Sequence, residues 1–295
     1  MVLQYAIKYR AGYVRKPIMR RRNIWILIAL AGVASADAQW LNYPTPGTPR
    51  TKDGQPNLLA PAPRTADGKP DLSGIWEAEP APREELFRRL PDGVNLLGED
   101  STSTYFMNIL SDFKPGEAPM LPSAAAAFRQ NAASRGADFS ASRCLPLGLP
   151  TSDTAPEPHK IIQTPGIIVV LHEADTTFRQ IYLDGRKLPA DPQPSWLGYS
   201  VGRWDGDSLV VDTIGFNDKG WLDASGHPHS EALHLTERYR RPYFGHMEIE
   251  ITIDDPKNYT KPFTVKSKQR LLSDTDIIES ICLENEKDAS HYVNK

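Results

Sequence analysis

The stretch Met247-Glu248-Ile249-Glu250-Ile251-Thr252-Ile253 alternates apolar and polar side chains without a break. Because neighbouring side chains of a β-strand point to opposite faces, this alternation predicts a strand with one buried and one solvated face. Further strands are predicted wherever apolar, β-branched and aromatic runs are bounded by turn residues. The predicted strands are residues 72–76, 159–164, 166–173, 177–183, 197–204, 207–214, 232–240, 244–253, 261–271 and 276–284.

The links between these strands are mostly short turns. The stretch Arg203–Ser208, which contains Asp205-Gly206-Asp207, is typical of a tight hairpin. Strands that follow one another without intervening helices indicate an antiparallel meander, and closing a meander into a barrel removes its exposed edges. The sequence therefore predicts a mainly β fold, with a short helical insertion at 84–136 that holds helices at 84–90, 101–113 and 122–135.

The first 38 residues carry the pattern of an export signal. Arg20–Arg22 precede the apolar run Ile24–Leu30, and small residues follow up to Ala38. This order is typical of a secretory signal peptide, and the apolar run is short for a permanent membrane helix. We therefore expect a signal peptide at 1–38, with Met19 as an alternative start. The mature protein should be periplasmic or secreted with no membrane span, the alternative being a single N-terminal anchor.

After the signal peptide, the chain is expected to form one domain behind an extended segment. Residues 39–71 are rich in proline, and PRTKDGQPNL at 49–58 is echoed by PRTADGKPDL at 63–72. Each copy combines an Asp-Gly turn with prolines that resist helix formation. We expect a strap at 39–71, a single barrel domain at 72–288 and a tail at 289–295.

Composition excludes several classes of function. The net charge is −3, which argues against nucleic acid as a partner because such proteins carry a concentrated basic face. The chain has no glycine-rich phosphate loop, no G-x-S-x-G elbow and no C-x-x-C motif, which argues against nucleotide binding, α/β-hydrolase chemistry and thioredoxin-type redox work. In an oxidising compartment Cys144 and Cys282, the two cysteines of the chain, are expected to form a disulfide, the alternative being two buried thiols.

Three motifs carry a resemblance. Asp67–Trp76 (DGKPDLSGIW), Pro194–Trp204 (PSWLGYSVGRW) and Gly226–Glu231 (GHPHSE) resemble segments of a large family of secreted bacterial proteins of uncharacterised function. This resemblance covers most of residues 40–288 and implies export and one continuous fold, but no reaction. Gly74-Ile75-Trp76 also resembles the Gly-x-Trp that opens lipocalins. The predicted meander is therefore expected to be a calycin-like barrel.

The densest set of candidate catalytic residues lies between Asp223 and His234. Imidazole and carboxylate groups alternate there, which suits a general base whose tautomer an acid holds in place. The candidate catalytic residues are Asp223, His229, Glu231 and His234. The same region could instead hold a divalent metal through His227, His229, Glu231 and His234, although the spacing matches no metalloenzyme signature. A polar loop capped by imidazole hydrogen bonds is the remaining alternative.

A second set combines aromatic and arginine side chains, which suits stacking of a planar ring and clamping of an anion or carbonyl group. The candidate substrate-binding residues are Arg179, Tyr182, Trp196, Tyr199 and Arg203, with Arg186 and Trp204 nearby. The alternative is an aromatic core with arginines reaching outward. Glu237–Arg241 is interpreted as a solvated strand face that pairs across strands with Glu248 and Glu250.

These observations predict an exported barrel protein that binds a small organic molecule and carries acid–base chemistry of the isomerase, lyase or hydrolase type at His227–His234. One alternative is a metal-dependent hydrolase or oxygenase at the same cluster. Another is an envelope protein that binds a ligand or a partner without turnover. The oligomeric state is left open.

Overall fold

The computed structural model of the chain describes residues 43–82, 84–86, 102–114, 116–134 and 136–284. The predicted signal peptide at 1–38 and the predicted tail at 289–295 lie outside these ranges. Each helix within them falls short of the length and apolar character that a membrane crossing requires.

Within the described residues, nine strands form one closed barrel. The strands are β1 (Gly74–Ala78), β2 (His159–Gln163), β3 (Ile167–His172), β4 (Thr177–Tyr182), β5 (Tyr199–Asp205), β6 (Ser208–Ile214), β7 (His234–Tyr243), β8 (His246–Asp254) and β9 (Phe263–Leu271). Each strand pairs with the next, and β9 pairs with β1 to close the ring. The prediction of a mainly β fold closed into a barrel is confirmed. The apolar face of each strand lies inside the barrel: β8 and β9, for example, bury every second residue.

One strand pair departs from the predicted antiparallel meander. β4 and β5 are parallel and pair at two positions, Ile181 with Ser200 and Tyr182 with Val201. Every other strand pair in the described ranges is antiparallel. The connection at 183–198 is long enough for the chain to return along the barrel before β5 begins, which a tight turn would not allow.

The strand predicted at 276–284 is wrong. Residues 276–281 have no regular structure, and 282–284 form a turn. The reason is topological: β1 already pairs with the free side of β9, so no edge remains for another strand after it. The apolar side chains that suggested a strand, Ile278, Ile281 and Leu283, lie exposed on the surface.

The helices are shorter than predicted. They are α1 (Thr104–Met107), α2 (Pro122–Ala133) and α3 (Thr151–Thr154), with 3₁₀ turns at Ser140–Arg143 and Ala174–Thr176. The helix predicted at 122–135 is confirmed by α2, whereas the one predicted at 101–113 is reduced to α1, because Asn108 is already extended. Residues 84–86 are helical, and the remainder of the helix predicted at 84–90 lies outside the described residues. α3 was not predicted.

The two copies of the repeated motif in the strap form the same loop, with one arginine in each. Arg50 and Arg64 each donate to the glycine carbonyl of their own copy. Arg50 also pairs with Asp274 beyond β9 at 2.5 Å, while Arg64 pairs with Asp207 in the β5–β6 turn at 2.7 Å. The strap is thus tied to the barrel at two separated places.

The tryptophan of the Gly-x-Trp motif lies in the barrel core. Trp76 is completely buried, and its indole N–H donates to the Leu72 carbonyl at 3.0 Å. The Arg241 guanidinium lies 4.8 Å from the centroid of the Trp76 ring, and it donates to the carbonyls of Asp71 and Phe244. Burial lowers the pKa of Arg241 to about 10, so the side chain stays charged at neutral pH.

The predicted disulfide is confirmed. Cys144 and Cys282 are joined, with their Cα atoms 5.4 Å apart. Cys144 directly follows the 3₁₀ turn Ser140–Arg143, and Cys282 lies in the irregular C-terminal segment. The bond therefore ties this segment to the barrel where no strand pairing does so.

Candidate functional site

The histidine cluster predicted at 227–234 does not come together. Asp223 is fully buried and belongs to a local turn, because its Oδ1 accepts the backbone N–H groups of Ser225, Gly226 and His227. Its Oδ2 accepts from His227 Nδ1 at 2.5 Å. The His227 ring also stacks on Phe128 at a centroid distance of 4.1 Å. Asp223 and His227 thus hold the loop in place.

The other members of the cluster point in different directions. His229 is buried near Phe216, and burial lowers the pKa of its imidazole. His234 is half exposed on the outside of β7, with Nε2 3.2 Å from Asp212 Oδ1, and Glu231 is exposed in a turn. No group of three His, Cys, Asp or Glu residues in the described ranges is placed to hold a metal.

The metal site predicted at His227, His229, Glu231 and His234 is therefore wrong, as is their predicted convergence on one cavity. The prediction assumed an extended chain from 227 to 231, but residues 231–232 form a turn. β7 then begins at His234, whose side chain faces away from the barrel interior. The proposed partnership of Asp223 with His229 or His234 does not form either, because Asp223 pairs with His227.

The aromatic and arginine set, in contrast, surrounds a cavity. A cavity of about 380 Å³ opens between β4 and β5 and is lined by residues of both strands and of the segment before β5. Phe178 and Gln180 point outward from β4, whereas Thr177 and Arg179 point inward, yet all four line it. The cavity lies where β4 and β5 separate, and we call it the β4–β5 cleft.

The parallel pairing creates the cleft. β4 and β5 are joined only at Ile181–Tyr182 of β4, and the segment before β5 turns away to pair with the chain after β6. There the Ser195 N–H donates to the Gly215 carbonyl at 2.9 Å. Gly198 allows this path, because its φ is +63° and an added Cβ would lie 2.8 Å from the Ile214 carbonyl oxygen.

Aromatic rings form the wall of the cleft. The rings of Tyr182 and Tyr199 stack at 5.3 Å, and Trp196 and Phe178 also line the space. The Arg186 guanidinium lies 3.8 Å from the centroid of the Tyr182 ring and donates to Tyr199 Oη at 3.0 Å. Arg186 therefore braces two tyrosines of the wall.

Four of the five candidate substrate-binding residues, Arg179, Tyr182, Trp196 and Tyr199, line the cleft. Arg203 does not: it lies on the outer face of β5, where its Nη1 pairs with Asp212 at 2.6 Å. Trp204 does not line the cleft either, because it packs against the hydrophobic core, with the Lys69 ammonium 6.0 Å from its ring centroid.

The sequence suggested that Arg179 clamps an anion. It is not available to do so, because each of its five N–H groups already has an acceptor. Nε donates to Ser200, Nη1 to Glu237 and Tyr239, and Nη2 to Thr213 and Glu237. The side chains of both charged partners are almost fully buried. Burial acts to raise the pKa of Glu237, but the positive charge of Arg179 and the hydrogen bonds from Arg179, Asp153 and Tyr239 together lower it.

Glu237 was misassigned from the sequence. The stretch Glu237–Arg241 is not a uniformly solvated face, because Glu237 is completely buried inside the barrel. Arg240 lies 3.9 Å from Glu248, as predicted, whereas Arg238 pairs with Asp205 at 2.9 Å. The predicted partner Glu250 instead pairs with Lys266 at 2.6 Å.

Further polar residues near this pair were missed. Asp153 of α3 lies with Oδ2 3.6 Å from Arg179 Nη1, and Gln269 of β9 donates to the Asp153 carbonyl at 2.8 Å. Burial, followed by the negative charge of Glu237, raises the pKa of Asp153 well above its usual value.

Two buried histidines belong to the same interior. His159 and His172 are register partners on β2 and β3, with ring centroids 6.0 Å apart. Burial lowers the pKa of His159 to about 4. Burial, with smaller contributions from His159 and Arg179, lowers the pKa of His172 to about 3. Both rings are neutral at physiological pH.

The sequence did contain a signal for some of these residues. Glu237 has the parity of Leu235, and His172 has the parity of Val170, so each falls on the apolar face of its strand. Asp153 carried no comparable signal, since α3 has no apolar periodicity in the sequence.

Comparisons with protein-family models, with curated proteins and with solved structures each found no match to this chain. The resemblances to secreted bacterial proteins and to lipocalins therefore stay predictions. What the cleft can bind follows from its own geometry and chemistry.

Proposed function

We propose that this protein binds a small planar organic molecule in the β4–β5 cleft. The observation that carries the proposal is the cavity of about 380 Å³ walled by Tyr182, Trp196 and Tyr199. Its volume falls within the range of small-molecule sites, which are mostly apolar with a few placed polar groups. Aromatic faces stack on flat molecules and lose little side-chain entropy when they do so.

The wall of the cleft is held ready for a ligand. Tyr182 and Tyr199 are stacked on one another and braced by Arg186, whose guanidinium is in turn paired with Asp184 at 2.6 Å. Side chains that are already ordered pay less entropy when a ligand binds. Because Arg186 and Arg179 both have anionic partners in the protein, a negatively charged ligand gains little from either residue.

Binding without turnover is the function that the geometry supports best. The acid–base chemistry predicted at His227–His234 has no support, because none of the predicted catalytic residues lines the cleft. The alternative of a metal-dependent hydrolase or oxygenase at that cluster lacks its ligand set among the described residues.

We also propose that the protein works in the periplasm or outside the cell. The basic, apolar and small-residue order of residues 1–38 supports export. The Cys144–Cys282 disulfide supports it too, because disulfides persist in oxidising compartments and are rare in the cytosol.

The test of ligand binding compares two tryptophans. The fluorescence of N-phenyl-1-naphthylamine, a neutral planar probe, is titrated with wild-type protein, Trp196→Ala and Trp204→Ala. Trp196 lines the cleft and Trp204 does not. We expect Trp196→Ala to weaken probe binding by about tenfold, from the loss of one aromatic contact, and Trp204→Ala to bind like the wild type. Equal affinities for all three proteins would show that the cleft is not the site.

A further inference from the structure

The barrel interior behind the cleft contains polar atoms that no neighbour satisfies. Among the described residues, both ring nitrogens of His172 and Oε1 of Gln269 are buried without a hydrogen-bond partner, whereas the buried Asp153 carboxyl group bonds to Glu237. A buried polar atom without a partner destabilises the folded state. Native proteins contain few such atoms, so a group of them calls for an explanation, such as a ligand or water that completes the bonds.

These atoms belong to one region. The Asp153 carboxyl group lies beside Arg179, and the Gln269 amide nitrogen donates to the Asp153 backbone carbonyl. His172 is the register partner of Thr177, and Val170, two residues before it, is the partner of Arg179. His172 and Arg179 are therefore diagonal neighbours on the inner face of the barrel.

The same region adjoins the inner wall of the cleft. Thr177 and Arg179 both line the cavity, and both point into the barrel, as does Ile181 of the same strand. His172 thus lies one strand away from the cleft, beside Thr177. A ligand whose ring rests on the aromatic wall would direct its other end toward this interior group.

The interior carries no net charge to offer a ligand. Arg179 and Glu237 neutralise one another through two direct contacts. The two imidazoles of His159 and His172 are neutral at physiological pH, because burial lowers the pKa of each. Burial raises the pKa of Asp153, and its carboxyl group already bonds to Glu237. What remains for a ligand is hydrogen-bonding capacity of both kinds, because a neutral imidazole has one donor and one acceptor and Gln269 Oε1 is an acceptor.

We propose that His172 and Gln269, beside Asp153, form a polar subsite that selects neutral ligands whose end carries both a hydrogen-bond donor and an acceptor, such as a carboxamide. This inference rests on the proposed binding of a planar molecule in the β4–β5 cleft. A carboxylate would bring a second negative charge near Glu237, and no unpaired cation among the described interior residues would balance it. An apolar end would leave the buried polar atoms unsatisfied.

The experiment uses three probes of one shape: benzamide, benzoate and toluene. Each is titrated into the wild-type protein at neutral pH and followed by NMR. We expect benzamide to bind at least about tenfold more tightly than benzoate or toluene, as for sites built to hydrogen-bond a ligand group. The ¹⁵N shifts of the His172 ring should change with benzamide and not with toluene.

Two variants separate the subsite from the cleft. His172→Phe keeps the ring volume, and Gln269→Leu removes the amide; we expect each to reduce benzamide affinity toward that of toluene without weakening toluene. Trp196→Ala should weaken benzamide and toluene alike. Thermal melts of all variants check that each is folded. If His172→Phe does not fold, Gln269→Leu still tests the subsite.

The outcomes are distinct. If toluene and benzamide bind equally to the wild type, or if the preference for benzamide survives in both His172→Phe and Gln269→Leu, the subsite is overturned while the cleft stands. If Trp196→Ala binds toluene and benzamide as tightly as the wild type, the cleft itself is not the site, and the proposed function and the subsite both fall.

Discussion

At the scale of single residues, the most consequential feature is the set of ionisable groups inside the barrel. Arg179, Glu237 and Asp153 meet there, with His159 and His172 on the adjacent strands. Removing a charge from water is costly, so such groups either pair or become neutral. Arg179 and Glu237 pair, the two histidines are neutral at physiological pH, and burial raises the pKa of Asp153.

The buried histidines should make stability depend on pH. Their pKa values of about 4 and about 3 in the folded protein lie below the unfolded value of about 6.5. Between these values the unfolded chain binds more protons, so the free energy of unfolding rises with pH across this window. From about pH 7 to about pH 4.5, each histidine should remove about 2–3 kcal/mol of stability.

Urea unfolding at the two pH values measures this effect. His172→Phe should lose about half of the pH dependence that the two histidines cause, and it should be more stable than the wild type because an unsatisfied polar ring is gone. Asp153 contributes in the opposite direction, since its pKa is raised, so variant and wild type are compared at both pH values. His246→Gln, at a partly exposed histidine, is the control. An unchanged pH dependence in His172→Phe would contradict the prediction.

Loss of the buried Arg179–Glu237 pair should lower the free energy of unfolding far more than loss of a surface pair on neighbouring strands. Glu237→Gln removes the carboxylate that accepts two hydrogen bonds from Arg179 and leaves only Asp153, at 3.6 Å, beside the guanidinium. We expect it to lower the free energy of unfolding by about 3–5 kcal/mol. The matched control is Glu250→Gln, which breaks an exposed pair with Lys266 and should cost about 0–1 kcal/mol. Urea unfolding of both variants measures the difference, and similar losses would show that Glu237 is not buried as described.

At the scale of elements, the junction of β4 and β5 decides where the barrel can be entered. The two strands run parallel and pair over two residues of each. Antiparallel neighbours joined by tight turns leave no comparable gap, because their ladders run to the turn. The cleft therefore follows from the long connection at 183–198 and from the departure of the segment before β5 toward the chain after β6.

The departing segment should depend on Gly198. Gly198→Ala would place a Cβ 2.7 Å from Thr213 Cγ2 and 2.8 Å from the Ile214 carbonyl oxygen, in a left-handed conformation. We expect a loss of about 1–2 kcal/mol from the conformation and about 1–3 kcal/mol more from the crowding. Gly185→Ala is the control, since Gly185 also has a positive φ but open space around it. Equal losses by urea unfolding would mean that the close approach at Gly198 does not matter.

At the scale of the whole molecule, parts of the chain outside the barrel ladder are tied to it by side chains. The strap is held by Arg50 and Arg64, each through an aspartate of the barrel or of the segment after it. The C-terminal segment is held by the Cys144–Cys282 bond and by the Thr176 hydroxyl, which donates to the Ser280 carbonyl at 2.9 Å. Thr176 also lines the cleft, so this segment lies beside the proposed binding site.

Removing the disulfide should cost stability and leave the barrel formed. The bond spans 138 residues of sequence, and closing a loop of that length stabilises the folded state by about 5 kcal/mol at most. We expect the double variant Cys144→Ser/Cys282→Ser to lose about 2–5 kcal/mol in urea unfolding, with an unchanged β-type circular dichroism spectrum. Thiol counting on denatured, unreduced wild-type protein is the accompanying check, and two free thiols there would contradict the bond.

The strands could be predicted because their information is local. The alternation in Met247–Ile253 specifies which side chains share a face whatever the strand pairs with, and turn residues mark where each strand ends. The disulfide was predicted from the number of cysteines and from the predicted oxidising compartment. The strand predicted at 276–284 failed because its pairing depends on a distant edge that β1 already occupies.

The candidate site was decided by tertiary structure. Closeness in sequence suggested that His227, His229 and His234 would act together. A turn at 231–232 separates them, and His234 lies on the outward face of β7. Closing the ring instead brings Asp153, His172 and Glu237 into one interior, from segments far apart along the chain. The sequence by itself determined the strands, the face of each side chain and the cysteine pair, because these follow from local periodicity and composition. Only the tertiary structure decided which buried charges meet and where the wall opens, because both depend on how distant strands are paired.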